Sequence, residues 1–188
     1  MQSMAMAQPA SEDTDATLAD AARAGDTAAF AKLVDRYRDT AFAYANAHVR
    51  YRDEAEDIVQ EAFVRAFVSL PGIQSSRSWG AWLMRIVRNL CHDSLRRHRS
   101  RPSEPLDETW PDDRPGPETS LLVMETGLEV RRAVLDLPEK LRIPMLMHYA
   151  YRRSHREIAL ALGVPETTVV GRLTTALQRL RRRMGCVR

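Results

Sequence analysis

Prolines 102, 105, 111, 115 and 117 crowd one short stretch and constrain this chain more than any other feature. Each fixes φ and removes a backbone donor, so no helix runs through them and an extended connection is favoured. The same stretch is acidic, with Glu104, Asp107, Glu108, Asp112, Asp113 and Glu118 against Arg114 alone. On both sides apolar residues recur at helical spacing, and nowhere do they alternate as in a strand. The expectation is an all-α protein: two small helical domains joined by a flexible linker rich in proline and acid. Its parts are a disordered 1–11, a first domain over 12–99, a linker over 100–117 and a second domain over 118–188.

In the first domain a short helix over Asp13–Ala24 ends at Gly25-Asp26-Thr27. A long one follows, with Phe30, Leu33, Val34, Tyr37, Ala41, Tyr44, Ala45 and His48 on one face. His48 there reads as a packed or rim histidine rather than a ligand. The third helix, Asp53–Val68, has a core stripe of Ile58, Val59, Ala62, Phe63, Ala66 and Phe67. Its other face carries Asp53, Glu56, Asp57, Gln60, Glu61 and Arg65. Acids in a first turn suit the helix dipole, and they equally suit docking to a basic partner; composition leaves both open. After Pro71-Gly72, Ser78 is placed to cap a fourth helix reaching Arg99. Trp79, Leu83, Ile86, Val87 and Leu90 project one way, while Arg85, Arg88, His92, Arg96 and Arg99 fall within about 80° of one another on the opposite side. Such a stripe can follow a phosphate backbone, and aromatics beside it can stack on unpaired bases. Core packing is the favoured role for Trp79, whereas Trp82 sits between the two stripes.

In the second domain a helix is expected over Glu118–Leu135. Another starts at Leu137-Pro138-Glu139-Lys140, with Pro144 near its first turns or kinking it. The stretch Ser154–Met184 then reads as two helices and a tight turn. Ser154 with Glu157 is a capping box. Ile158, Ala159 and Leu162 give one apolar face, and Gly163 supplies a left-handed C-terminus. Pro165 fits the first position of the next helix. There Val169, Leu173, Ala176, Leu177, Leu180 and Met184 share one side, with Thr168, Arg172, Thr175 and Arg179 roughly opposite. A short glycine-containing connection of this kind suits a DNA-binding helix-turn-helix, whose hydroxyls and arginines reach bases and phosphates.

Several function classes drop out. No apolar run is long enough to span a bilayer, so no membrane insertion is expected. Residues 1–21 lack the basic flank and apolar core of a secretory signal, which makes the expected location cytoplasmic. Cys91 and Cys186 cannot form a disulfide framework or a zinc site, and no cofactor or metal is implied. A helical hydrolase built on His92-Asp93 would need further ligands, and His48, His98, His148 and His155 form no such pattern. Net charge is only +3, yet all but two of the 28 basic residues are arginine, a donor suited to phosphate and guanine.

Three segments together resemble the extracytoplasmic-function sigma factors, compact bacterial transcription initiation factors of the sigma-70 superfamily. DEAEDIVQEAFVRAF (53–67) is similar to that family's core-polymerase-binding segment. WGAWLMRIVRNLCHDSLRR (79–97) resembles its promoter-melting and −10-reading helix, and residues 136–183 resemble its −35-reading domain. The resemblance spans about 20–183 in the family's order. It implies that Asp53, Glu56, Asp57, Gln60, Glu61 and Arg65 dock on the clamp helices of the polymerase's largest subunit, with the flap of the second-largest subunit as a further contact. By the same resemblance, Arg77, Ser78, Trp79 and Trp82 receive a flipped base, while Arg85, Arg88, Asn89, Arg96 and Arg97 hold the −10 element. His155, Thr167, Thr168, Arg172, Thr175 and Arg179 correspond to readers of the −35 groove. Control by an anti-sigma protein is implied as well, and no catalytic residue is needed.

The chain departs from the common family pattern at Val170-Gly171, where many relatives carry Lys-Ser, so its −35 preference is expected to be its own. The competing reading is a two-domain helix-turn-helix regulator that acts without core polymerase.

Overall fold

The computed structural model describes residues 14–49, 51–72, 79–99, 129–130 and 132–185, and among them every regular element is helical. Helix α1 spans Asp15–Arg23, and its cap residue Thr14 accepts the Thr17 amide. Gly25, at φ +102°, turns the chain, and the Asp26 carboxylate then receives the Ala28 and Ala29 amides at 2.9 and 3.1 Å. That cap starts α2, Thr27–His48. Helix α3 covers Arg52–Ser69 and closes in a 3-10 turn, Leu70–Gly72. Helix α4 is Trp79–Arg99. These boundaries lie within two residues of those expected from periodicity. The cap assigned to Ser78 lies outside the described residues, as do Arg77, the linker, and Glu118 through 128.

The four helices close on one core. Leu33, Ala41, Ala55, Ala62, Ala66, Trp79, Leu83, Met84 and Val87 are fully buried, and the alanines let the backbones approach. Trp79 sits edge-on to Phe30 at 6.4 Å and beside Tyr37 at 5.3 Å, so it is a core residue, as its position on the wheel favours. Phe67 departs from the expected stripe and is 48% exposed. At Gly80 α4 comes close to α2: an added Cβ would meet the Tyr37 hydroxyl at 2.3 Å. Tyr37 in turn donates to the Asp15 carboxylate, which also pairs with Arg36 and ties α1 to α2. Burial is the main cause of the raised Tyr37 phenol, with Asp15 reinforcing it.

The second unit holds helical residues 129–130 and 132–135, then α5 (Glu139–Tyr149), α6 (His155–Leu162) and α7 (Glu166–Arg183). The capping box forms as expected: Glu157 N–H donates to Ser154 Oγ at 3.2 Å, and Ser154 N–H donates back to Glu157 Oε2 at 2.8 Å. Gly163 is left-handed at φ +68°. Pro165 is the cap residue of α7, one position earlier than expected. Pro144 is the sixth residue of α5 and buried, so its missing donor falls inside the helix rather than in its orphan first turn.

The two helical units touch, a contact that a flexible linker between two domains does not by itself imply. Thr40 Oγ1 of α2 donates to Glu157 Oε1 of α6 at 3.0 Å, and Asn46 Nδ2 donates to the Tyr151 hydroxyl. The rings of Phe42 and Tyr151 meet edge to face at 6.2 Å. Arg88 Nη1 of α4 donates to the Ala161 carbonyl at 2.8 Å.

Candidate nucleic-acid interface

Helix α4 owes its precise seating to two sets of contacts. Its apolar stripe enters the core, and Ser94 and His98 both reach Glu54 of α3, the His98 Nε2 to Glu54 Oε1 distance being 2.9 Å. The face left outside presents Arg85, Asn89, His92, Arg96 and Arg97, all exposed, while Arg88 is half-buried. Asp93 lies 3.2 Å from Arg96 and is the nearby acid on this face. Trp82, half-buried at the edge of the stripe, retains a surface that a base could cover, whereas Trp79 has none. Below the stripe Cys91 is buried, and burial pushes its thiol up to about 12, which leaves it unreactive.

Helix α7 presents a second surface. Val169, Leu173, Ala176 and Leu180 are buried and fix its rotation. Thr167, Thr175 and Arg179 are exposed, and Thr168 and Arg172 are half-buried. The Thr175 hydroxyl donates to the Gly171 carbonyl at 2.8 Å, so its proton is engaged on its own helix and its lone pairs face outward. An added Cβ at Gly171 would meet nothing within 4 Å. His155 lies at the start of α6, half-buried, with its ring 5.0 Å from that of His148.

The third surface is on α3. Asp53, Glu56, Asp57, Gln60, Glu61 and Arg65 are all exposed. Two of the acids are paired within the helix, Glu56 with Arg52 at 2.9 Å and Glu61 with Arg65 at 2.5 Å. Exposed pairs of this kind contribute little to stability and yield readily to another partner. Beside them runs an apolar groove of about 740 Å³ between α2 and α3, lined by Phe30, Val34, Phe42, Phe63, Val64 and Phe67. Sequence periodicity missed this groove. The signal was present in Val64, an apolar residue one position outside the stripe, while Phe67, assigned to the core stripe, lines the groove instead.

The acidic face and the arginine stripe thus sit on adjacent helices of one bundle, and the helix-turn-helix follows in the second. Residues 33–101 match the Sigma-70 region 2 family, and residues 127–180 match Sigma-70, region 4. The chain is 31% identical over 172 residues to the ECF RNA polymerase sigma factor SigW of Bacillus subtilis, covering 85% of this chain and 91% of that one. It is 33% identical over 175 residues to the ECF RNA polymerase sigma factor SigM of Mycobacterium tuberculosis, covering 93% and 86% respectively. Its fold is similar to that of CnrH in complex with the cytosolic domain of CnrY, at TM-score 0.59 and 23% identity over 93% of this chain and 99% of that chain.

Proposed function

The chain belongs to the extracytoplasmic-function (ECF) RNA polymerase sigma factors, and from that premise we propose how its surfaces divide the work of promoter recognition. A sigma factor binds core RNA polymerase and promoter DNA. Here the acid-rich face of α3, Asp53 through Arg65, docks on the clamp helices of the largest polymerase subunit. The neighbouring groove takes the apolar residues of the same partner. Exposed arginines and Asn89 on α4 hold the −10 element, and Trp82 stacks on an unpaired base. Residues Thr167, Thr168, Arg172, Thr175 and Arg179 of α7 enter the −35 groove, with His155 at its edge. The flap of the second-largest subunit contacts the second domain.

The observation that carries this reading is the opposition of charge on adjacent helices. Acids predominate on one face of this small bundle and basic residues on another, one suited to a basic protein surface and the other to DNA. The domain limits that go with it are 12–99 and 118–188, joined by 100–117. Polymerase performs the chemistry, so the proposed roles are binding roles in the cytoplasm. The structure described by its title as the sigma factor RpoE in complex with the anti-sigma factor NepR, from Bartonella quintana, has a similar fold (TM-score 0.52, 20% identity over 85% of this chain and 98% of that chain). Control by an anti-sigma protein that covers the α2–α3 groove is proposed here too. In vitro transcription with core polymerase on genomic fragments tests the reading: initiation at defined sites is expected only when the factor is added. Unchanged products with and without it would overturn it.

A further inference from the structure

Helix α7 turns a different face outward from the one its arginines mark. Val169, Leu173, Ala176 and Leu180 are buried, and Thr168 and Arg172 are half-buried beside them. Thr167, Val170, Gly171 and Thr174 are all exposed, and their spacing of i, i+3, i+4 and i+7 puts them in one stripe. Val170 is 45% exposed, so of two adjacent valines Val169 anchors the helix and Val170 stands outside it. A lone exposed valine is ordinary. This one has surroundings that packing within the chain does not explain. Gly171 weakens an α-helix relative to alanine, yet a Cβ there would meet nothing within 4 Å, so no neighbour among the described residues requires a glycine. Thr174 Oγ1 donates to the Val170 carbonyl at 2.9 Å, as Thr175 Oγ1 does to that of Gly171 at 2.8 Å. Each hydroxyl has committed its only proton to the helix, which leaves acceptor lone pairs and a methyl group for anything outside. The stripe is uncharged, largely apolar and, at Gly171, bare to the backbone.

We propose that Val170 is a specificity-determining residue that packs on the 5-methyl group of a thymine in the −35 element, while Gly171 lets the helix backbone close on the base edges. The proposal rests on the reading of α7 as the −35 helix. In the major groove thymine is the one base that carries a methyl group. The stripe holds no side-chain amide or guanidinium, the groups that form bidentate pairs with adenine and guanine, so thymine is the base it fits. Arg172 and Arg179 lie on the adjoining flank and supply the charged contacts.

The test uses holoenzyme made with the full chain, and a promoter fragment recovered by the in vitro transcription described above. Thymines of its upstream element, on both strands, are replaced one at a time by deoxyuridine, which lacks only the 5-methyl group. Capture is read as a Kd by fluorescence anisotropy. At one position deoxyuridine should weaken capture about fourfold, the effect of one buried carbon at the usual transfer free energy. Val170→Ala, an exposed change to a better helix former, should weaken capture of the parent fragment and bring the deoxyuridine effect at that position close to nothing. Gly171→Ala should weaken capture while raising the melting temperature of the free factor, a split that a merely structural glycine would not give. Unweakened capture by Gly171→Ala overturns the close approach. Capture indifferent to deoxyuridine at every upstream position overturns the methyl contact, as does a deoxyuridine penalty equally large in Val170→Ala and the parent. In any of these cases, weaker capture after the whole upstream element is scrambled leaves α7 standing as the −35 reader. Capture unmoved by that scrambling removes the reading itself, and the proposal falls with it.

Discussion

Substituting Gly80 by alanine perturbs the point where α4, the carrier of the arginine stripe, meets α2. The new methyl would stand 2.3 Å from the Tyr37 hydroxyl and 2.5–2.6 Å from two of its ring carbons, so the whole ring must move, not merely a flexible tip. Tyr37 is 9% exposed and flanked by Trp79 at 5.3 Å, which leaves it little space. Overpacking of this sort costs about 1–3 kcal/mol. Displacing the ring also threatens its bond to the Asp15 carboxylate, worth about 1.5–3 kcal/mol as a bond to a charged group. The expected loss is thus about 2.5–6 kcal/mol. At roughly 2–4 °C per kcal/mol for a chain of this size, thermal melting should fall by about 5–24 °C. Gly171→Ala is the matched control, because its methyl meets empty space on an exposed helix turn. It should stabilise α7 by up to about 1 kcal/mol through helix propensity alone. If Gly80→Ala melted within 2 °C of the parent, or if both alanines acted alike (each figure set against the same scaling), the tight α2–α4 contact would be refuted.

Reversing Asp57 and Glu61 to lysine should abolish association with core polymerase in a pull-down. The melting temperature should hardly move, because both residues are exposed and the Glu61–Arg65 pair is worth only about 0.2–0.5 kcal/mol. Replacing Arg172 and Arg179 by alanine should weaken promoter capture by the holoenzyme and lower the slope of log affinity against log salt by nearly two, as expected for two lost phosphate contacts. Acid should destabilise the fold through His48. Its side chain is 4% exposed, and burial lowers its pKa, outweighing the Tyr44 carbonyl and Glu139, which favour the charged ring; His92 and Arg142 add to the lowering. The unfolded chain therefore takes up the proton first: stability is full above about pH 6.5 and is lost as pH falls below it towards the depressed folded value. His48→Gln should flatten this part of a pH-dependent denaturation series, and an unchanged slope would assign the effect to other groups.

How far the sequence discloses this molecule depends on the range of each interaction. Caps and turns involve residues a few positions apart, so the Ser154–Glu157 box and left-handed Gly163 are placed by residue type and spacing, whereas Asp26, read only as part of a helix break, proves to be a cap as well. Helical rotation was equally legible, since a wheel separates buried Trp79 from half-buried Trp82 and the exposed arginines of α4 from its core stripe. Contacts between distant positions were not. Nothing in the local pattern says that Glu54 receives Ser94 and His98, or that Gly80 exists to admit the ring of Tyr37.

Glu157 shows the division within one side chain. Its Oε2 accepts the Ser154 amide and hydroxyl, the local role that spacing announces. Its Oε1 accepts Thr40 from the other unit and lies 3.2 Å from Arg153. Partial burial works to raise the carboxyl, but the donors from Ser154, Thr40 and Arg153 outweigh it and hold the group below its ordinary value. A carboxylate that satisfies its own helix with one oxygen has the other free to report on a neighbour. The acceptor that caps α6 is therefore also a contact with the first unit. Loss of the Thr40 donor would leave the capping box in place, so the local role of Glu157 does not depend on its distant partner.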